Sequence, residues 1–531
     1  MTTPLPYRSV SFHESWPRPE LIALAARLGF NDCTFQTEKG TLPRLRDLRA
    51  RADEQGFFEQ ARREGMTISV WTHELGEPGP EWRPFTPDND ALWKGLDERY
   101  EYVLGELLPE IDHLVLTVVE AGVDIADSKL LPRLVETINN ACRRHDAQLI
   151  LRSFVHHPEQ HQQMADALRA LPPDVAVLTK CVPQDWHMRA DDDPLIGALG
   201  ERTQYIECDI AGEYWQEDRL ANAFTHILAR QVRHWQANGA DGISVRVDRG
   251  WKPWEHQATV LNQAQEVNLW LLGLFATGET DSEDEVWRRF TAEHFADATG
   301  EMEQALRPTG RVVEEASYVG REAFGLLRLP VSVRETFEGG PSWKRGELRK
   351  GLRRPPTAEA YEDSDDAMYR NPFFGYSSVH RWNPQAAKAY RAQRRGEPDA
   401  IEANERSLAE AAETAENCLA ALDAASPKLH AAVVHHYRWQ LEENAHYLHV
   451  MGQMQLAWMK AERSLYCDDH AEREQRLEQV EVHLNELARW QALHGDETWR
   501  GTWDHRHQER SRLAGVDVPE FLRGFRRYFG L

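Results

Sequence analysis

The chain has 531 residues, 41% of them hydrophobic, enough for two or three domains with a sizeable core. Its formal charge of −24 and pI of about 5.4 exclude nucleic acid and anionic membrane as general partners, because both would repel it. No apolar run reaches about 18 residues, and the opening MTTPLPYRSVSFHESW has no basic stretch leading into an apolar one, so the expectation is a soluble cytoplasmic protein.

In chain order, eight strand-like runs precede residue 250: RSVSFHES, FNDCTFQT, MTISVWTHE, DHLVLTVVE, AQLILRSF, VAVLTKCV, QYIECDI and DGISVRVD. Between them PELIALAARLG, KLLPRLVETINNACRRHD and LANAFTHILARQVRHWQANG repeat apolar residues at helical spacing. This alternation predicts a (β/α)8 TIM barrel. HQATVLNQAQEVNLWLLGLFATG reads as the closing helix, and DSEDEVWRRFTAEHFAD as a further helix with an acidic first turn. From about Gly339 the composition turns to Gly, Pro and mixed charge, as in a loop-rich connection. Long Ala/Leu/Glu/His patterns then predict an antiparallel α-helical carboxyl-terminal domain, with the amphipathic tail PEFLRGFRRYFGL docking onto it. The expected divisions are therefore 1–338 for the catalytic barrel, 339–399 for the connection and 400–531 for the helical bundle. That bundle is also expected to mediate a homodimer, because its long amphipathic helices offer much apolar surface.

Three acids, Glu120, Asp185 and Glu213, each follow a buried strand pattern where a loop should begin. In a parallel barrel such strand ends converge on one face, where glycosidases keep their carboxylates. Arg152 and Lys180 lie within neighbouring strand patterns, so two cations and three acids are expected to face one cavity. Aromatic residues follow the acids, with Trp186 after Asp185 and Tyr214 after Glu213, and sugar rings stack on such faces. The bland readings are that acids at loop starts are solvated, that the cations neutralise buried acids, and that tryptophan is core.

The segment VLTKCVPQDWHMRADDDPLIGALGERTQYIECDIAGEYWQ resembles the strand-six to strand-seven region of the glycoside hydrolase family 67 α-glucuronidases. Lys180 and Asp185 match that family's Lys-x4-Asp, Arg189 its arginine, Pro194-Leu195-Ile196-Gly197 the next landmark, and Glu213-Tyr214 its Glu-Tyr. Upstream, Glu120 falls at its general acid and Arg152 at the arginine of its Trp-Arg-Ala-Phe-Val-Tyr strand. The likeness runs from about Asp112 to Ala276. Leu116 stands where the family has a lysine, Gly212 where it has glutamine, and its amino-terminal α/β domain has no counterpart here.

The resemblance implies an exo-acting, inverting enzyme that removes an α-linked uronic acid from short oligosaccharides. Glu120, after Val118 and Val119, would be the general acid, and Asp185 with Glu213 would activate the attacking water. Arg152 and Lys180 would bind the uronate carboxylate, and Trp186 and Tyr214 the ring. No cofactor is expected: there is no P-loop, no GxGxxG after the first strand and no GxSxG. No metal is expected either, since in His156-His157 and His435-His436 adjacent side chains point apart. The six cysteines form no CxxC pair and read as reduced thiols. Two alternatives stay open: a metal-dependent sugar isomerase on a TIM barrel, and a carbohydrate-binding barrel without activity.

Overall fold

A computed structural model describes residues 4–13, 18–37, 41–73, 85–119, 125, 129–155, 158–183, 186, 188–211, 220–248, 260–320, 322–323 and 399–494, with 501–502, 510–511, 518, 522 and 525–526 near the carboxyl end. The chain forms two compact units. The first comprises Met1–Trp186, Asp191–Ala211 and Thr225–Val286; the second comprises His187–Ala190, Gly212–Phe224 and Trp287–Leu531.

In the first unit, strands β1 (Tyr7–His13), β2 (Asp32–Gln36), β3 (Thr67–His73), β4 (His113–Thr117), β5 (Gln148–Arg152), β6 (Ala176–Lys180), β7 (Gln204–Asp209) and β8 (Gly242–Arg246) close into a parallel barrel. The expected eight strands all form, in the expected order. Parallel strands covered on both faces read as continuous buried runs, as β2, β6, β7 and β8 do. Helices α1 (Pro19–Arg27), α2 (Leu42–Gln55), α3 (Phe57–Arg63), α4 (Asp90–Tyr102), α5 (Leu130–Arg144), α6 (Pro158–Ala170), α7 (Thr225–Ala237) and α8 (Glu266–Ala276) belong to the connections. The closing helix α8 is shorter than its sequence pattern, and every one of its residues is buried.

Alternation along the strands gives the barrel two faces. Outward, Phe12 and Phe35 stack at 5.7 Å, and Phe35 meets Phe58 of α3 at 5.1 Å. Inward, the amino-terminal end of the barrel is polar. There the buried Asp32 carboxylate accepts hydrogen bonds from the hydroxyls of Tyr7 (3.0 Å), Ser9 (2.6 Å), Thr34 (3.2 Å), Thr67 (2.7 Å) and Ser69 (2.8 Å). His113 Nδ1 lies 3.3 Å from it. Above this network Trp71, Val115, Ile150, Ala176, Leu178 and Tyr205 form an apolar plug with Tyr7. Tyr7 and Tyr205 stack at 4.2 Å. Both are register partners of Gly242, where a Cβ would come within 2.6 Å of Tyr7 Cβ and 2.9 Å of Tyr205 Cδ1, so a side chain there would prise the stack apart.

The second unit contains α9 (Glu283–His294) from Trp287 onward, α10 (Thr299–Leu306), α11 (Thr309–Ser317), α12 (Ala400–Ala425), α13 (Ala431–Leu465) and α14 (His470–His494). Within this unit α10 and α11 pack against α12 and α13. The connection expected at 339–399 lies, up to residue 398, outside the described residues. On α12 Leu408, Ala411, Ala415, Cys418 and Leu422 form one buried stripe, matched by Val480, His483, Leu484, Leu487 and Trp490 on α14. These stripes face the bundle itself. Among the described residues Val482 and Leu493, both on α14, expose a large apolar side chain. Leu522 and Phe525 of the tail are buried, and Arg526 pairs with Glu481 of α14 at 2.8 Å, so the tail docks on the bundle. No described helix is long and apolar enough to cross a membrane.

Candidate active site

At the carboxyl end of the barrel the inner face changes from apolar to charged. β5, β6, β7 and β8 contribute Arg152, Lys180, Glu207 and Arg246, which are only 2%, 4%, 2% and 5% exposed. The Glu207 carboxylate is the hub. Arg152 donates to it through Nε at 2.6 Å and through Nη2 at 3.0 Å, while Arg246 Nη2 approaches its other oxygen at 3.0 Å. Lys180 is the register partner of Glu207 on the adjacent strand. Aromatic faces complete the packing. Arg152 and Arg246 lie 4.8 and 4.9 Å from the centroid of the same Trp71 ring, and Arg152 and Lys180 lie 4.7 and 5.0 Å from that of Phe154. Trp71 itself is fixed by donating from Nε1 to Thr117 Oγ1 at 2.7 Å.

Burial alone would push the Glu207 carboxyl up. The charges of Arg152, Arg246 and Lys180 outweigh it and hold the group at about 2, so Glu207 is ionised at any ordinary pH. Asp209, the register partner of Arg246, is also buried, with Oδ1 accepting from the Ala211 amide at 3.0 Å. Asp248, just past β8, is fully buried.

Of the residues singled out by sequence, Arg152 and Lys180 come together in this cluster. Trp186 is 1% exposed. Glu120, Asp185, Glu213 and Tyr214 lie outside the described residues. They follow the ends of β4, β6 and β7 by three (Glu120), five (Asp185), four (Glu213) and five (Tyr214) positions.

Two points differ from the sequence reading. Leu116 does not line the barrel: His113 and Thr117 of β4 bond to inward groups, so the alternate residue Leu116 faces the outer layer. Arg189, the matched landmark arginine, is held within the second unit. Its Nε meets Glu314 at 2.7 Å and its Nη2 meets Glu315 at 2.5 Å, both on α11, and its guanidinium lies 5.5 Å from the Tyr318 ring. The Tyr318 hydroxyl in turn accepts from the Met188 amide at 2.7 Å.

Sequence reasoning missed Glu207, Arg246, Asp209 and Asp248. The signal was present as alternation, since Tyr205, Glu207 and Asp209 share one face of β7, and Ser244 and Arg246 one face of β8. Among the described residues no three His, Cys, Asp or Glu side chains gather in a way that could hold a metal ion.

Fold and cluster together define a (β/α)8 barrel protein with a charged carboxyl end and a helical region after it. No family model and no curated protein matches the sequence. Among solved structures, a GH138 enzyme targeting pectin rhamnogalacturonan II is similar with a TM-score of 0.61 at 11% identity, over 98% of this chain and 66% of that one. A family GH115 4-O-methyl-α-glucuronidase with specificity for decorated arabinogalactans gives 0.48 at 11% identity, over 93% and 60%. The O-GlcNAc hydrolase of Thermobaculum terrenum gives 0.43 at 11%, over 97% and 93%. The chain spans less than two thirds of the length of the first two. The first likeness shows the fold, a TIM-type barrel followed by helices.

Proposed function

We propose that the chain is an exo-acting, inverting glycoside hydrolase that removes an α-linked uronic acid from short oligosaccharides. The observation that carries this reading is the pair Arg152 and Lys180, brought together on the inner face at the carboxyl ends of β5 and β6. Glu120, Asp185 and Glu213 follow the carboxyl ends of β4, β6 and β7 in the same barrel. In a (β/α)8 barrel the loops after the strands belong to one face, and this supports a site that would join these acids to the two cations. There Glu120 would protonate the departing oxygen, and Asp185 with Glu213 would take a proton from attacking water. Arg152 suits a carboxylate through its planar donors and Lys180 as a point charge. The glucuronidase resemblance in the sequence supports the same assignment.

A second reading is favoured by the Arg152–Glu207 pair: the cations serve to balance buried acid, and the sugar removed is neutral. A panel of α- and β-linked uronides and their neutral counterparts, assayed with and without a chelator, separates the two. Release of a uronic acid whose first-formed anomer is inverted by NMR supports the proposal. A retained anomer rejects inversion. Hydrolysis of neutral glycosides alone supports the second reading, chelator-sensitive isomerisation of free sugars would replace both with an isomerase, and sugar binding without turnover would leave a binding barrel.

A further inference from the structure

The uronide reading names two cations, but the barrel places a third among them. Arg246 on β8 shares with Arg152 both a counter-ion and an aromatic face: Arg152 donates to the Glu207 carboxylate, Arg246 forms an ion pair with it at 3.0 Å, and each lies just under 5 Å from the centroid of Trp71. Two guanidiniums fixed to the same carboxylate and the same ring stand side by side. An anion that reaches Arg152 therefore meets Arg246 in the same place. Lys180 joins them as the register partner of Glu207, against the Phe154 face that Arg152 also touches. Leu116, by contrast, belongs to the outward face of β4, so no cation at that position would reach the barrel interior.

We propose that Arg246 is a specificity-determining residue that reads the substrate's carboxylate together with Arg152 and Lys180, and that Glu207 is the positioning residue that sets both guanidiniums. This rests on the uronide reading and extends it to two residues on β7 and β8. Arg152 is committed to Glu207 by charge-assisted hydrogen bonds at 2.6 and 3.0 Å, and Arg246 by an ion pair at 3.0 Å, which restrains side chains that otherwise carry considerable rotamer freedom. The carboxylate of Glu207 acts through the arginines, not on the sugar.

The test is the ratio of kcat/KM for a uronide to that for the matching neutral glycoside, measured on the full chain. Arg246→Gln should lower this ratio about tenfold or more, as the loss of a charge-assisted hydrogen bond implies, chiefly through KM, and Arg246→Lys should restore part of it. Glu207→Asp keeps the charge but draws the anchor back by one methylene, so it should lower the ratio. Calorimetric titration with free glucuronate and glucose gives the same comparison without turnover. Thermal melts identify any variant that does not fold, in which case Arg246→Lys and Glu207→Asp carry the test. Folded Arg246 variants with an unchanged ratio, while Lys180→Met loses it, would overturn this inference and leave the uronide reading standing. A wild-type enzyme with no uronide preference and no glucuronate binding would overturn both.

Discussion

Arg152 Nε and Glu207 Oε2 lie 2.6 Å apart in the middle of the barrel, with both side chains only 2% exposed. A pair so placed gives little stability over an apolar equivalent, because each charge loses its hydration, yet breaking it leaves a buried charge without its partner. Glu207→Ala is therefore expected to destabilise the barrel by about 3 to 5 kcal/mol, since Arg152 and Arg246 lose their common partner. Arg152→Met should cost less, because Glu207 keeps Arg246 and Lys180. A double-mutant cycle in urea measures the coupling, and additive single effects would show that the two charges are compensated elsewhere. The pH dependence has a definite sign. The folded carboxyl sits at about 2, below its ordinary 4.5, so the unfolded chain takes up its proton first. The stabilisation is complete above about 4.5 and is lost as pH falls toward about 2.

Much of this was legible in the sequence, for physical reasons that also mark where reading stopped. Strands buried on both faces leave unbroken β-branched and apolar runs, and runs such as AVLTK and GISVR have few alternative explanations. The cations Arg152 and Lys180 stood out because they interrupt such runs. Glu207 and Arg246 interrupt QYIECDI and DGISVRVD in the same way, but a strand run alone does not say which of its two faces is inward. Their burial depends on what the neighbouring strands supply, which no single run records. The helices α10 and α11 show the same limit: only their packing partners, more than 80 residues later in the chain, assign them to the helical unit.

At the opposite end of the barrel, Asp32 gathers five hydroxyls and His113 around a carboxylate with no exposure. Burial alone would raise its pKa, but hydrogen bonds from His113, Ser9 and Thr67 and the charge of His113 prevail, and the net shift is downward. Asp32→Asn replaces one accepting oxygen with a donating amide NH2 that faces hydroxyl donors. A loss on the order of 3 kcal/mol is expected, as for buried polar groups left unmatched, with no change in substrate preference because this end of a TIM barrel serves stability. Stability from Asp32 is present above its ordinary 3.8 and declines as acid titrates the folded group. Urea melts at neutral pH and under acid conditions measure both, and an Asn variant as stable as wild type would show the network rearranges freely.

Arg189 offers a separate test within the helical unit. It bridges Glu314 and Glu315 and donates from Nη1 to the Gly320 carbonyl at 2.7 Å. Arg189→Ala leaves two adjacent carboxylates on α11 without their common cation, and a cost of about 2 to 3 kcal/mol is expected for a partly buried pair of charge-assisted bonds. Arg189→Lys should recover only a fraction, since an ammonium cannot span both acids and the Tyr318 face in one plane. Hydrogen exchange should quicken at the Met188 amide, which donates to Tyr318. Unchanged exchange there would mean that the segment is held by its other contacts.

The last expectation concerns the chemistry itself, through Glu120. If this residue is the general acid, Glu120→Ala removes the proton that a sugar alkoxide needs in order to leave, a contribution of about 10² to 10⁴ in rate. A substrate whose leaving group is an activated phenol departs without protonation and should be spared most of that loss. The variant is therefore expected to lose far more activity on a natural uronide than on an aryl uronide of the same sugar, and the alkaline limb of the pH profile, which deprotonation of a general acid sets, should disappear. Adding azide or formate does not restore protonation, so rescue by such anions should be confined to variants at Asp185 or Glu213, where a small nucleophile can take the place of activated water. Equal loss on both leaving groups would remove Glu120 from the role, and the acid would then be sought among the buried carboxylates Asp209 and Asp248 at the ends of β7 and β8.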